Sequence, residues 1–370
     1  MTARPRVLYI EPFETGSHAA FTETLTTGID AEWTRLTMPG RHWKWRMRGS
    51  AAYLALEHAD LLSRPFDLIW ASAYLPLAEL VGLCPALAGT PRVLYFHENQ
   101  FAFPVRREHV GGPDHHFAFT QLVSATAATT VVFNSAYNRD TFLAGARGLL
   151  SRMPDAVPAD WVDVVASRCE VLAYPVSLSD PPPSPEDDVV DRAAGPTILW
   201  NHRWEHDKNP DAFFAALRAV RDRGLPFRLA VCGRRFRTVP AAFTEAEAEF
   251  ADRIVCYGEA DRATYEGLLR TAHVAVSTAR HDFFGVAMVE ATHGGACPVV
   301  PDRLAYPEIF PERYRYPDDD ALADVLAGHV QCWLAGEALR ADRASIWSPV
   351  SASTMLPRYA ALITRVLGAS

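Results

Sequence analysis

The residues best placed to do chemistry lie in Thr278 to Pro301, TARHDFFGVAMVEATHGGACPVVP. Two carboxylates, Asp282 and Glu290, bracket a Phe283-Phe284-Gly285-Val286 step into an apolar run. A small apolar strand pattern, Val274 to Ser277, comes before them, and Gly294-Gly295 closes the segment. The pattern reads strand, tight loop, helix, glycine stop, strand. Such a loop aims a carboxylate and several backbone N–H groups at one point ahead of a helix N-terminus. The N–H groups and helix dipole suit phosphate, the carboxylate suits sugar hydroxyls, and Gly285 lets a ligand approach the backbone. Alone, either acid reads as an ordinary helix residue; together with the glycines they point to a sugar diphosphate.

A second set follows another strand pattern. Asn201 to Asn209 reads NHRWEHDKN, with Arg203 and Lys208 on one strand-to-helix loop. A planar guanidinium and a point-charge ammonium can converge on a diphosphate. A solvated basic loop is the plainer alternative, disfavoured by the complementary acidic loop elsewhere in the same domain.

Three stretches of the first half offer polar groups at strand ends. His97-Glu98-Asn99-Gln100 follows RVLYFH, where a histidine can touch a reacting sugar and the polar residues an acceptor. Glu11 to His18, EPFETGSH, places Gly16 and Ser17 at the first strand-to-helix turn. That turn lacks a full dinucleotide fingerprint, so it reads as an open loop on the donor side or as a plain turn. Arg41 to Arg48, RHWKWRMR, interleaves Arg41, Lys44, Arg46 and Arg48 with Trp43 and Trp45. Cations beside stacking aromatics suit a single-stranded RNA loop, while a solvated basic loop with its tryptophans packed on its own domain is the alternative. His109, His115 and His116 lack the acidic or thiol partners of a metal site, and no metal is expected.

Short apolar strands alternate with helical segments in both halves, which predicts parallel sheets covered on both faces. The expected helices include Ser17 to Thr27, Gly49 to Leu62, Pro210 to Asp222 and Arg262 to Thr271. Between the halves, residues 177–196 are rich in Pro and Asp and read as a linker. The expected layout is an N-terminal domain over 1–176, a C-terminal domain over 197–350, and a final helix in 351–370 that returns to the first domain. The fold class is α/β, two doubly wound Rossmann-like domains whose strand ends face one central cleft.

Composition narrows the function classes. A formal charge of -8 argues against a generally basic nucleic-acid binder while leaving room for a local basic surface. The six cysteines are scattered without a Cys-x-x-Cys pair, as in a reduced, cytoplasmic protein. No apolar run reaches membrane-span length, and no signal-peptide pattern opens the chain.

The blocks IEPFETGSH, WKWRMRGSA, LPLAEL, YFHENQFAFPVR and VVFNSAYN, with NHRWEHDKNP and HDFFGVAMVEA, resemble the tRNA-queuosine α-mannosyltransferase family. These are retaining glycosyltransferases of the two-domain GT-B fold. The resemblance implies transfer of mannose from GDP-mannose to queuosine in the anticodon of tRNA-Asp, without a cofactor. It implies that Arg203 and Lys208 neutralise the diphosphate, Glu290 contacts the ribose and Asp282 the donor sugar. The backbone at Phe284, Gly285 and Val286 would cradle phosphate and sugar, and His97 would lie near the anomeric carbon. The family motif opens with Glu where this chain has Asp282, shorter by one methylene. Two other readings stay open at this stage: a GT-B enzyme acting on a lipid, glycan or small metabolite, and a non-catalytic tRNA or sugar-nucleotide binding protein. The sequence does not set the oligomeric state.

Overall fold

The computed structural model describes residues 4–103, 115–178, 191–235 and 239–369. Most of the expected linker and His109 lie outside them. The chain divides into two compact units, Met1–Ser177 with Ala352–Ser370, and Leu178–Ser351.

The first unit carries β1 (Arg6–Glu14), β2 (Glu32–Pro39), β3 (Leu68–Ser72), β4 (Arg92–Phe96), β5 (Thr130–Phe133) and β6 (Cys169–Val171). They form one sheet in the order β2-β1-β3-β4-β5-β6, every pairing parallel. Parallel strands need crossover helices, and these cover both faces. On one face Leu8, Ile10, Ile69, Leu94 and Val131 meet Leu54, Leu80, Leu122 and Phe142 from helices. On the other, Tyr9, Trp70 and Tyr95 are buried under Phe21 and Tyr359. Tyr95 stacks on Phe21 at 4.3 Å between ring centres, and the Tyr359 hydroxyl donates to the Leu172 carbonyl at 3.1 Å. The helix Ala352–Gly368 thus belongs to the first unit, through buried Met355, Tyr359, Leu362 and Ile363. Each such side chain contributes roughly 1.5–3 kcal/mol on leaving water.

The second unit carries β7 (Thr197–Trp200), β8 (Arg228–Cys232), β9 (Ile254–Gly258), β10 (Val274–Val276), β11 (Cys297–Pro301) and β12 (Arg315–Tyr316). Its sheet, also parallel, runs β12-β11-β10-β7-β8-β9. The helix Pro210–Asp222 buries Phe213, Phe214, Leu217 and Val220 on one stripe, at the spacing an amphipathic helix requires. Arg192, inside the expected linker, stacks on Trp333 at 4.4 Å and donates to the Trp333 carbonyl at 2.8 Å, so the end of that segment packs on the second unit.

One local expectation needs correction, and one strand was not foreseen. The basic stretch is not a loop: a helix spans Trp43–Glu57 and the short helix Ala59–Leu62 follows it. Between Trp43 and Arg48 no Gly, Pro, Asn or Asp breaks the pattern, and Lys, Arg and Met are fair helix formers. The strand β2 carries no apolar run because it sits at the sheet edge, where Glu32 and Arg35 face water. Among the described residues no helix is long and apolar enough to cross a membrane.

Candidate active site

In the second sheet the chain steps β7-β8-β9 to one side and then returns to β10 on the other. Loops after β7 and β10 therefore leave toward opposite faces, opening a crevice at the strand carboxyl ends. Lys208 reaches this point from a single turn, His206–Lys208, whose Lys208 carbonyl accepts from Thr278 Oγ1 at 2.8 Å. The Lys208 side chain is buried; its Nζ donates to the His281 carbonyl at 2.6 Å and to Asp282 Oδ2 at 3.3 Å.

Asp282 is engaged on both oxygens. Oδ1 accepts from the Phe284 N–H at 3.2 Å and the Gly285 N–H at 2.8 Å, while Oδ2 also accepts from Tyr306 Oη at 3.3 Å. Burial alone would raise its carboxyl, but the Lys208 ammonium, His202 and the Phe284 N–H outweigh it and hold the group at about 2. This corrects the expectation of a carboxylate and a row of N–H groups both open to a ligand: two of those N–H groups serve Asp282. Phe284 is itself buried, so its ring forms wall rather than contact surface. Gly285 sits at φ 86°, and a Cβ there would meet the Tyr306 ring at 2.7 Å, so only glycine fits. Val286 then opens the helix Val286–Gly294.

Beside this crevice lies a cavity of about 400 Å³, lined by residues including Asn201, His202, Arg203, Arg234, Glu259 and Tyr265. The loops after β7 and β8 touch at its floor, where a Cβ on Gly233 would overlap the His202 carbonyl oxygen at 1.8 Å. Glu290 stands behind Tyr265, whose hydroxyl donates to it at 2.7 Å. Burial raises the Glu290 carboxyl. Asn201 Nδ2 donates to Tyr265 Oη at 3.1 Å and the Ala287 carbonyl at 2.9 Å, leaving the buried Oδ1 without a donor. Burial, then the Lys208 charge, push the His202 imidazole down to about 4, so it is neutral at pH 7.

Arg203 is not held against Lys208. It is half exposed and pairs with Glu205 at 2.7 Å, yet against burial the half-buried Asp207 carboxyl is lowered by His281 and then by both cations, Lys208 and Arg203. The pair thus share one field rather than one contact point.

In the first unit His97 follows β4 and stacks on His18 at 3.9 Å. Burial, then His18, hold its imidazole well below the ordinary range. Glu98 accepts from Tyr74 Oη at 2.5 Å and from Gln100 Nε2 at 3.3 Å. Gln100 in turn donates its backbone N–H to Gln121 at 2.8 Å. Asn99 is a correction: it is fully buried, bonds Asn138 and Thr141 through Nδ2, and accepts from the Ala102 N–H. It ties the loop to the helix Ala136–Leu150 and has no surface to offer an acceptor. Gly16 caps the helix Ser17–Gly28 at φ 51° with open space beside it, and the Ser17 carbonyl accepts from Tyr174 Oη at 2.8 Å.

The two tryptophans of the basic stretch separate. Trp43 packs on Phe117 at 5.3 Å and Phe103 at 5.9 Å, in a small cluster with Met47 and Tyr74. Trp45 is 65% exposed, flanked by exposed Arg41, Lys44 and Arg48 and half-buried Arg46. Among the described residues none of these four cations forms an ion pair. Sequence reasoning missed Asn201, His202, Tyr265 and Tyr306 in the second unit and Glu11 and His18 in the first. Asn201, His202, Glu11 and His18 stand inside segments already singled out, whereas Tyr265 and Tyr306 carry no local signal.

Residues 6–176 match the family described as tRNA-queuosine alpha-mannosyltransferase N-terminal, and 190–345 match Glycosyl transferases group 1. The chain is 35% identical to the tRNA-queuosine alpha-mannosyltransferase of Drosophila melanogaster over 88% of this chain and 86% of that protein. It is 30% identical to the GDP-mannose:cellobiosyl-diphosphopolyprenol alpha-mannosyltransferase of Xanthomonas campestris, over 30% of each chain. Sucrose-phosphate synthase from Thermosynechococcus elongatus superposes with TM-score 0.72 at 14% identity, covering 99% of this chain and all (100%) of that one. Anabaena HepE, in a complex with UDP and glucose, superposes with TM-score 0.65 at 13% identity, over 98% of this chain and 100% of the other. Those likenesses establish the fold as GT-B. The length and identity of the Drosophila match establish the rest: the chain belongs to the tRNA-queuosine α-mannosyltransferase family and is a glycosyltransferase.

Proposed function

We propose that this chain transfers mannose, with retained anomeric configuration, from GDP-mannose to queuosine in the anticodon of tRNA-Asp. The match of residues 6–176 to the N-terminal part of this family supports the reading, because the family is described by mannosyl transfer to tRNA queuosine. The GDP-mannose-dependent Xanthomonas relative supports the donor.

The nucleoside fits the cavity beside Asn201 and Tyr265, with Glu290 at the ribose. Lys208 and Arg203 supply positive charge to the diphosphate. As the bond from C1 to the phosphate oxygen breaks, negative charge grows on that oxygen, and a fixed cation field lowers the barrier. The acceptor hydroxyl attacks the same face of C1, its proton passes to the departing phosphate oxygen, and GDP leaves. Asp282 acts through its neighbours: it holds Lys208 and fixes the Phe284-Gly285-Val286 backbone against the sugar. His97 stands near the anomeric carbon. Glu98 and Gln100, with the surface of Arg41, Lys44, Trp45, Arg46 and Arg48, take the acceptor.

The test is incubation of purified protein with GDP-mannose and queuosine-containing tRNA, followed by mass analysis of the released nucleosides. A hexose added to queuosine, and absent with UDP- or ADP-sugars, is expected. No added hexose at saturating donor and tRNA would overturn the assignment.

A further inference from the structure

Among the described residues of the first unit Glu11 is the most deeply buried acid, and no step above uses it. It lies near the carboxyl end of β1, where the sheet order turns between β1 and β3, and its side chain is fully buried. Oε1 accepts from the Phe13 N–H at 2.9 Å and from Ser72 Oγ at 2.9 Å, across that turning point. Oε2 lies 3.1 Å from His18 Nδ1 and 3.8 Å from His97 Nε2. His97 Nε2 is buried and has no hydrogen-bond partner.

The three ligand-type groups lie within 4.8 Å of one another, the types a zinc site would use. The ring geometry argues against it. The two imidazoles stack with planes only 29° apart, so their in-plane lone pairs run side by side instead of converging on one ion. An electrostatic role fits the same atoms: at 3.8 Å the Glu11 carboxylate is too far to hydrogen-bond His97 Nε2 but close enough to act on it through its field. A carboxylate facing His97 Nε2 repels a lone pair there and favours an N–H. That leaves Nδ1 as the unprotonated nitrogen, able to accept a hydrogen bond from a hydroxyl group.

We propose that Glu11 is a positioning residue: it fixes the Nε2–H tautomer of His97 and, through His18 stacked beneath, the tilt of the ring toward the transferred sugar. The proposal rests on the reading that His97 lies at that sugar. Phe21 and Tyr95, edge-on to His97 at 4.9 and 4.8 Å, complete the clamp. An amide in place of the carboxylate keeps the shape and loses the charge that selects the tautomer.

The experiment is a double-mutant cycle on mannosyl transfer, with E11Q, H97N and the pair, each checked for folding by thermal denaturation. Glu11→Gln is expected to lower kcat at least tenfold with the KM for donor and for tRNA within twofold. The pair is expected to be no slower than His97→Asn alone, because Glu11 acts through His97. A wild-type kcat for Glu11→Gln, or losses that multiply in the pair, would overturn the proposal. So would a stoichiometric bound metal lost on His18→Ala. Wild-type activity in His97→Asn would instead overturn the placement of His97 itself. Should Glu11→Gln fail to fold, Ser72→Ala, which removes one bond holding Glu11, is expected to lower kcat about threefold with KM unchanged; an unaltered kcat there would count against the proposal.

Discussion

The ammonium of Lys208 sits 3.3 Å from Asp282 Oδ2, and Asp282 in turn holds the N–H groups of Phe284 and Gly285. One buried ion pair therefore joins the loop after β7 to the loop after β10. Replacing Lys208 by Ala removes a fixed charge from the diphosphate and should lower kcat/KM by about 100- to 1000-fold. It also strands Asp282 and Asp207 without their cation, at a stability cost of about 3 kcal/mol. Steady-state kinetics and urea unfolding measure the two effects separately.

The same pair sets an acid limit on stability. The Asp282 carboxyl drops from its ordinary 3.8 to about 2 on folding, so its contribution is complete above pH 4 and drains away as the pH falls through about 2. The size is on the order of 2 kcal/mol. Urea midpoints taken between pH 5 and pH 2.5 should fall more steeply for the wild type than for Asp282→Asn. Parallel curves would show that Asp282 is not held as a charged group.

Gly285 combines a left-handed φ of 86° with the Tyr306 ring at contact. Gly285→Ala should destabilise by about 2 kcal/mol through strain and displaced packing, and weaken GDP binding as the loop shifts. Thermal shift with and without GDP reads both.

Tyr265 is the one hydroxyl bonded to Glu290 among the described residues. Tyr265→Phe should weaken GDP about tenfold, since a hydrogen bond that orients a carboxyl group, worth roughly 1.5 kcal/mol, is lost. Burial then pushes the Glu290 carboxyl higher still. Calorimetric titration with GDP checks this, and unchanged affinity would place the ribose elsewhere.

Trp45 and Trp43 should behave oppositely. Trp45→Ala removes an exposed stacking surface and should weaken tRNA about tenfold with little change in melting temperature. Trp43→Ala empties a packed cluster and should cost about 2 kcal/mol of stability. Removing Arg41, Lys44 and Arg48 together should flatten the salt dependence of tRNA binding, by about one unit of slope per lost phosphate contact.

The sequence determined what rests on local pattern. Apolar runs such as RVLYI and TILWN are strands because their side chains need burial on both faces, and Gly285 and Gly295 mark the helix of Glu290 by the φ values only glycine accepts. The concentration of Arg203, Lys208, Asp282 and His97 at strand ends was legible for the same reason: polar residues directly after buried strands stand at the sheet's carboxyl edge. Tertiary structure decided how those groups are spent. Asn99, polar and beside His97, turns inward because the Ala136–Leu150 helix supplies Asn138 and Thr141 as partners. Trp43 packs and Trp45 does not because positions two apart on a helix point about 200° apart, to nearly opposite faces, and only Trp43 meets Phe117. Glu11 and His18 look like ordinary turn residues in the chain; they matter only because β4 brings His97 beside them, and hydrogen bonds between distant segments leave no periodic trace in the sequence.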